Sequence, residues 1–269
     1  MKRSLIKIAL CLMIAAPAAA AGPPTFPVRR CAADAVLAGT VCLDRYEASV
    51  WRVPNPTTTN ASLVRKIQMG QATPADLTAG GATQLGTAGD DYAPCADNGG
   101  NCADDIYAVS LPAEMPSAFI TWFQAQEACA NSGKRLPTNA EWQVGANGTP
   151  DPGPDNADNG TTDCNTEHLG RTIPTGARAG CVSARGAFDM VGNLIEWVAD
   201  WVPLSTACPG WGGFSDDFMC LAGANADAGP GALLRGGASF GGSINGPLMV
   251  IGTFAPSRSE EIIGFRCAR

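Results

Sequence analysis

Histidine is almost missing from this chain of 269 residues: His168 is the only one. A hydrolytic triad with a histidine base, a histidine-rich iron site and a multi-histidine zinc site are therefore excluded. His168 lies beside an acidic loop and reads as a surface residue. No two cysteines stand in C-x-x-C spacing, so zinc-ribbon and thioredoxin-type chemistry lose their main support. Beyond the N-terminal segment no stretch is apolar for the ~18 residues that a membrane-spanning helix needs. Basic residues are few, with Lys+Arg 18 against Asp+Glu 25 and a formal net charge of −7. Nucleic acid is thus an unsuitable partner, because its phosphates need a cationic face to release their counterions. No repeat of fixed period is present, and the glycines match neither G-x-G-x-x-G nor the Walker pattern.

What is present begins with MKRSLIKIALCLMIAAPAAAAG. Its basic start at Lys2, Arg3 and Lys7, apolar middle and Ala-x-Ala end predict an export leader over residues 1–21. Losing it would take the net charge to −10 and leave 22–269 as a single secreted or periplasmic domain. Cys11 falls inside that leader, so ten cysteines remain, an even number that suits a disulfide framework in an exported chain. Close neighbours suggest Cys31–Cys42, Cys95–Cys102, Cys164–Cys181 and Cys208–Cys220, with Cys129 and Cys267 left over, although spacing proves no pairing.

With Gly 32 and Pro 20, the chain is built for turns and short elements rather than a helical bundle. Residues 31–51 alternate enough to hold one or two short strands. From about 54 to 116 the sequence turns small and polar, which predicts a loop-rich insertion with a short helix near Thr73 to Thr78 and one local disulfide. SAFITWFQAQEACANSG has helical spacing: Ser117 can cap, Ala118, Trp122, Ala125 and Cys129 share a face, and Gly133 can end the helix. Thr138 and Glu141 form a T-x-x-E capping box that opens a second helix and buries Trp142. The acidic stretch DPGPDNADNGTTDCN fails as an EF-hand, because Ala157 and Thr166 stand where ligands are required.

Three places could carry chemistry. RGGASFGG, residues 235–242, bares backbone that either grips a ligand or lets strands pack closely. GNLIEWVADW offers Asn193 and Glu196 as oxygen ligands for a hard cation, or as partners of buried backbone groups. Arg135 and Glu141 flank a Leu-Pro-Thr turn and read as an internal ion pair holding it. Asp216 and Asp217 sit among glycines with no sign of burial, and nothing there marks a general acid.

Taken in order, CLDRYEAS, GKRLPTNAEWQ, DMVGNLIEWVADW, LLRGGASF and IGFRCAR resemble the formylglycine-generating enzyme family, the sulfatase-modifying-factor domain, across residues 42–269. The resemblance implies an α+β fold related to C-type lectins, with short strands, two or so helices, many loops and an extracytoplasmic location. It implies calcium at Asn193 and Glu196, a Cys129–Cys267 disulfide, and a structural role for Arg135, Glu141 and Trp142.

Members that make formylglycine bind copper(I) through two cysteines soon after the GGS motif, and soft thiolates suit that ion. Here no cysteine stands between Cys220 and Cys267, so neither copper nor haem is expected. Iron-using relatives rely on histidines this chain lacks. The resemblance therefore favours a calcium-stabilised, lectin-like binding protein with an unknown protein or glycan ligand. Residues 238–262 resemble the diversified segment of retroelement variable proteins. Its candidate contacts are Phe240, Ser243, Ile244, Asn245, Ile251, Thr253, Phe254, Arg258, Glu260 and Glu261. The alternative is an oxidative enzyme acting on a protein or metabolite, similar to the pyoverdine-maturation branch.

Overall fold

The computed structural model describes residues 30–103, 105–153, 158–225 and 227–269. The leader reading at 1–21 lies outside these residues, as does Ala157 of the rejected EF-hand.

The first alternating segment forms a hairpin of β1 (Ala35–Ala38) and β2 (Val41–Asp44), followed by β3 (Ala48–Arg52). The 54–116 region is more structured than its composition predicts. It holds α1 (Ala61–Gln68), α2 (Pro74–Ala79), β4 (Thr83–Leu85) and β5 (Ile106–Ser110). These form a small core of their own, in which Leu63, Ile67 and Leu77 pack with Val53, Tyr107, Val109 and Leu111. Each element brings only one to three large apolar residues, separated by small and polar loops, which is why the stretch reads as polar. Strands β4 and β5 flank β3 in a three-stranded antiparallel sheet, and Thr73 caps α2 reciprocally with Asp76.

Helix α3 (Trp122–Asn131) starts later than the spacing predicts, because Thr121, not Ser117, is its cap. Thr121 and Gln124 form a capping box in which each side chain accepts the other's backbone N–H. Ser117 is fully buried and does different work: its hydroxyl accepts from the Val50 N–H at 2.8 Å and donates to the Leu85 carbonyl at 2.6 Å. Helix α4 (Asn139–Ala146) opens on the expected Thr138–Glu141 box and buries Trp142 completely.

The last third supplies the main sheet: β6 (Ile195–Pro203), β7 (Met219–Cys220), β8 (Pro230–Arg235), β9 (Val250–Phe254) and β10 (Ile263–Phe265). Its order is β10-β6-β8-β9-β7, parallel at both edges and antiparallel between. The principal core lies between this sheet, β5 and α3, where Trp197, Leu234, Ile251 and Phe265 meet Ile106, Ala125 and Cys129.

The class is α+β, with few helices, short strands and long connections. Five disulfides close it: Cys31–Cys42, Cys95–Cys102, Cys129–Cys267, Cys164–Cys181 and Cys208–Cys220. They fit an oxidising compartment. Among the described residues no helix is long and apolar enough to cross a membrane.

Candidate functional site

Parallel pairing of β10 with β6 puts Arg266 beside Glu196 in the interior. The Arg266 Nε donates to both Glu196 carboxylate oxygens at 2.9 and 2.8 Å, and Nη2 donates to Oε1 at 2.6 Å. Trp142 Nε1 donates to Glu196 Oε2 at 2.7 Å, and other Arg266 donors reach the carbonyls of Asp44 and Phe188. Asn193, held at φ +62°, donates from Nδ2 to Glu47 Oε2 at 2.5 Å. Its Oδ1 accepts from Asn165 Nδ2 at 3.0 Å and from the Ile173 N–H at 2.9 Å.

These residues do not fit the calcium ion that the resemblance implies. Both oxygens of Glu196 face a guanidinium, so a cation there would meet the Arg266 charge, and the Asn193 oxygen already has two donors. The two side chains brace the fold, as buried polar groups must when removed from water. The same interior shifts its acids: burial, with Asp189 and Glu196 nearby, pushes the Glu47 carboxyl well above the usual range. Burial likewise lifts Asp189 to about 6.

RGGASFGG leaves the end of β8 over this braced interior. Gly237 sits at φ +87°, and a Cβ there would lie 2.0 Å from Asn245 Oδ1, so the close approach needs glycine. Asn245 latches the loop: its Oδ1 accepts from the Ala238 N–H at 3.2 Å. Its Nδ2 donates to the carbonyls of Ala238 at 3.1 Å, Phe240 at 2.8 Å and Thr166 at 3.3 Å. The glycines are scaffold, and what they shape is a cleft.

That cleft, of about 340 Å³, is lined by Phe119, Arg171, Ser239, Phe240, Glu261 and Ile262, together with Gly86, Thr87 and Ala88. Phe119 is fixed at φ +56° by its N–H donating to the Glu260 carbonyl at 2.9 Å. The polar stretch beyond β4 thus contributes a wall, tied down where the Tyr92 hydroxyl donates to the Ala118 carbonyl at 2.6 Å. Phe240 is 51 % exposed, an apolar surface open to a ligand. No cysteine lines the cleft.

The structure does not bring the expected contact residues together. Phe240 and Glu261 reach the cleft. Ser243 and the exposed Ile244 lie on a short 3-10 turn, Gly242–Ile244. Asn245 is 1 % exposed and serves as the latch rather than as a ligand contact. Ile251 belongs to the core, and Thr253 and Phe254 are half-buried in β9. Arg258 is exposed and pairs with Glu260.

The buried members have separate causes: Asn245 is drawn in by its bonds to the glycine loop, and Ile251 lies in the covered first half of β9. The 238–262 segment runs through β9, whose first three residues are all buried, so only part of it can face solvent. Phe119 and Arg171 were missed because they come from distant loops with no motif of their own, whereas Ser239 stood in plain view in the glycine motif. His168 is exposed, and Arg135 forms a two-armed pair with Glu141 at 2.7 Å on each arm. That pair holds the Glu141 carboxyl down to about 2.

The sulfatase-modifying factor enzyme 1-like domain matches residues 90–269. The chain belongs to the formylglycine-generating enzyme, or sulfatase-modifying factor, family. It is 30 % identical over 106 residues to the serine/threonine-protein kinase Pkn1 of Chlamydia trachomatis, covering 33 % of this chain and 14 % of that protein. Among solved structures it is similar to the Major Tropism Determinant I1 variant, at 18 % identity and TM-score 0.47, over 87 % of this chain and 51 % of the other. It is also similar to PvdO from Pseudomonas aeruginosa, at 20 % identity and TM-score 0.40, over 85 % and 80 %. The chain thus spans only a small part of the kinase and about half of the tropism determinant.

The copper(I) site of formylglycine-forming members does not fit this sulfatase-modifying-factor domain. The segment between Cys220 and Cys267 contains no cysteine, and every cysteine among the described residues is half of a disulfide. Among the described residues no thiolate remains to bind a soft ion.

Proposed function

We propose that this member of the family is an exported ligand-binding protein whose cleft takes a polypeptide segment and performs no copper-dependent oxidation. The observation that carries the reading is the lining of the cleft. Two aromatic rings, Phe119 and Phe240, stand with one cation, Arg171, and one anion, Glu261, and there is no thiolate. Aromatic and arginine side chains supply most of the binding energy in peptide and protein recognition. The small and polar residues Gly86, Thr87, Ala88, Gly170 and Thr172 complete the lining and leave room for an extended chain. The latch of Asn245 and the anchored Phe119 hold these groups before any ligand arrives, which reduces the ordering cost of binding.

The test is selection of random displayed peptides on the purified, oxidised protein, with Phe240→Ala and Arg171→Glu as controls. Selected peptides should bind these variants at least ~30-fold more weakly, the loss expected for a central contact of about 2 kcal/mol. A glycan array run beside it must stay blank. Glycan binding sensitive to Phe240→Ala would replace the polypeptide reading, and oxygen uptake with a cysteine peptide and copper(I) would replace the binding reading altogether.

A further inference from the structure

Away from the cleft, the loop after α4 and the loop before β7 bring Asp151, Asp216 and Asp217 together. One carboxylate oxygen from each lies within 4.8 Å of the other two. Asp151 and Asp216 are exposed, but Asp217 is 2 % exposed. Its Oδ2 accepts from the Leu248 N–H at 2.6 Å, while its Oδ1 is buried without any hydrogen-bond partner. A buried carboxylate oxygen with nothing to bind is costly, and it points to a missing cation or donor.

The structure supplies no protein cation to fill the role. Among the described residues no lysine or arginine nitrogen comes within 4.0 Å of these three carboxylates. Arg235 is near enough to attract Asp217 electrostatically. Its Nη2, however, donates to Gln143 and the Pro247 carbonyl, its guanidinium lies over Trp142, and none of its nitrogens reaches the Asp217 carboxylate. Gly246 gives the carboxylate its space, since a Cβ at that position would lie 1.8 Å from Asp217 Oδ1.

We propose that Asp151, Asp216 and Asp217 form a binding site for one divalent cation, Ca²⁺ in preference to Mg²⁺. The donors are all hard oxygens, as both ions require. Ca²⁺ accepts about six to eight oxygens in irregular geometry, which suits carboxylates drawn from two loops, whereas Mg²⁺ demands a near-ideal octahedral set. Open coordination positions on the exposed side would be filled by water. The cation would join the 147–153 loop to the 205–218 loop. Through the Asp217 bond to Leu248, it would also steady the chain just beyond the Asn245 latch.

Calcium titration of the EDTA-stripped protein by calorimetry, with thermal unfolding in calcium and in EDTA, tests this. One Ca²⁺ per chain should bind, with a dissociation constant around 10⁻⁴ M, as is usual for extracellular modules, and it should raise the Tm. The exposed double variant D151N/D216N should bind at least ~10-fold more weakly and lose the calcium-dependent rise while melting in EDTA no lower than wild type. Asp217→Asn, which can keep the Leu248 bond through its amide oxygen, should also lose calcium. No calcium heat and no Tm change at millimolar calcium, or uptake that survives in D151N/D216N, would overturn the assignment.

Discussion

Glu196→Gln separates a bracing role from a ligand role for the residue that most resembles a calcium ligand. Glutamine keeps the volume, so packing around Trp142 and Phe265 changes little, and its oxygen can still accept one bond. What is lost is the negative charge that balances Arg266, in a pair whose side chains are 0 % and 1 % exposed. Breaking a buried pair from one side costs ~3–5 kcal/mol, because the remaining charge is left uncompensated. For a domain of this size that corresponds to a fall in Tm of roughly 6–20 °C at ~2–4 °C per kcal/mol.

Removing the stranded charge as well, in Glu196→Gln with Arg266→Met, should recover part of the loss. It should not recover all of it, since the carbonyls of Asp44 and Phe188 would lose their donor. The assay is urea unfolding with disulfides intact, read as a double-mutant cycle with a coupling of at least ~1.5 kcal/mol. A cost below ~1 kcal/mol for Glu196→Gln, or additive single and double variants, would refute the bracing account.

Two other outcomes follow from the same interior. Asp189 has its carboxyl lifted to about 6, chiefly by burial, against an unfolded value near 3.8. The native state therefore holds that proton more tightly than the unfolded chain. Its contribution is fully present below about pH 4 and is lost as pH rises through about 6. Asp189→Asn, which also suits the φ of +56° there, should flatten the decline in stability between pH 4 and 6; an unchanged pH profile would exclude Asp189 as its source. The Cys129–Cys267 disulfide spans 138 residues, and replacing both cysteines by alanine should cost ~2–5 kcal/mol. The shorter Cys164–Cys181 and Cys208–Cys220 loops inside it lower the entropic part; a loss under ~1 kcal/mol would show that β2, α3 and β10 are held without the bond.

Local chemistry was legible where it acts over a few residues. The Thr138–Glu141 box, the Arg135–Glu141 pair and the near-neighbour disulfides all depend on groups close in sequence, so residue type and spacing suffice. Position in three dimensions was not legible. Asn193 and Glu196 carry the right atoms for calcium, but whether those atoms face an ion or Arg266 depends on β10, some seventy residues further on. Asp217 fails in the opposite direction: flanking glycines suggest solvent, yet the Leu248 backbone and Gly246 enclose it. The 54–116 stretch hid its elements because a small secondary core needs few large apolar side chains.

The same division explains how the cleft can be specific without depending on its own lining for stability. Its backbone is positioned by groups that face inward: the Asn245 latch, the Ser117 hydroxyl between β3 and β4, and the Glu196–Arg266 pair beneath the glycine turn. The lining side chains at 171, 240 and 261 are exposed and make few of these bonds. Substitutions at those positions should change what is bound far more than whether the domain folds, because surface changes away from buried partners usually stay within ±0.5 kcal/mol. Asn245 and Ile251 lie in the same stretch of sequence but on the inward side, so they cannot vary with the others. Within 238–262 the exposed positions that line the cleft, Phe240 and Glu261, are in loops outside β9.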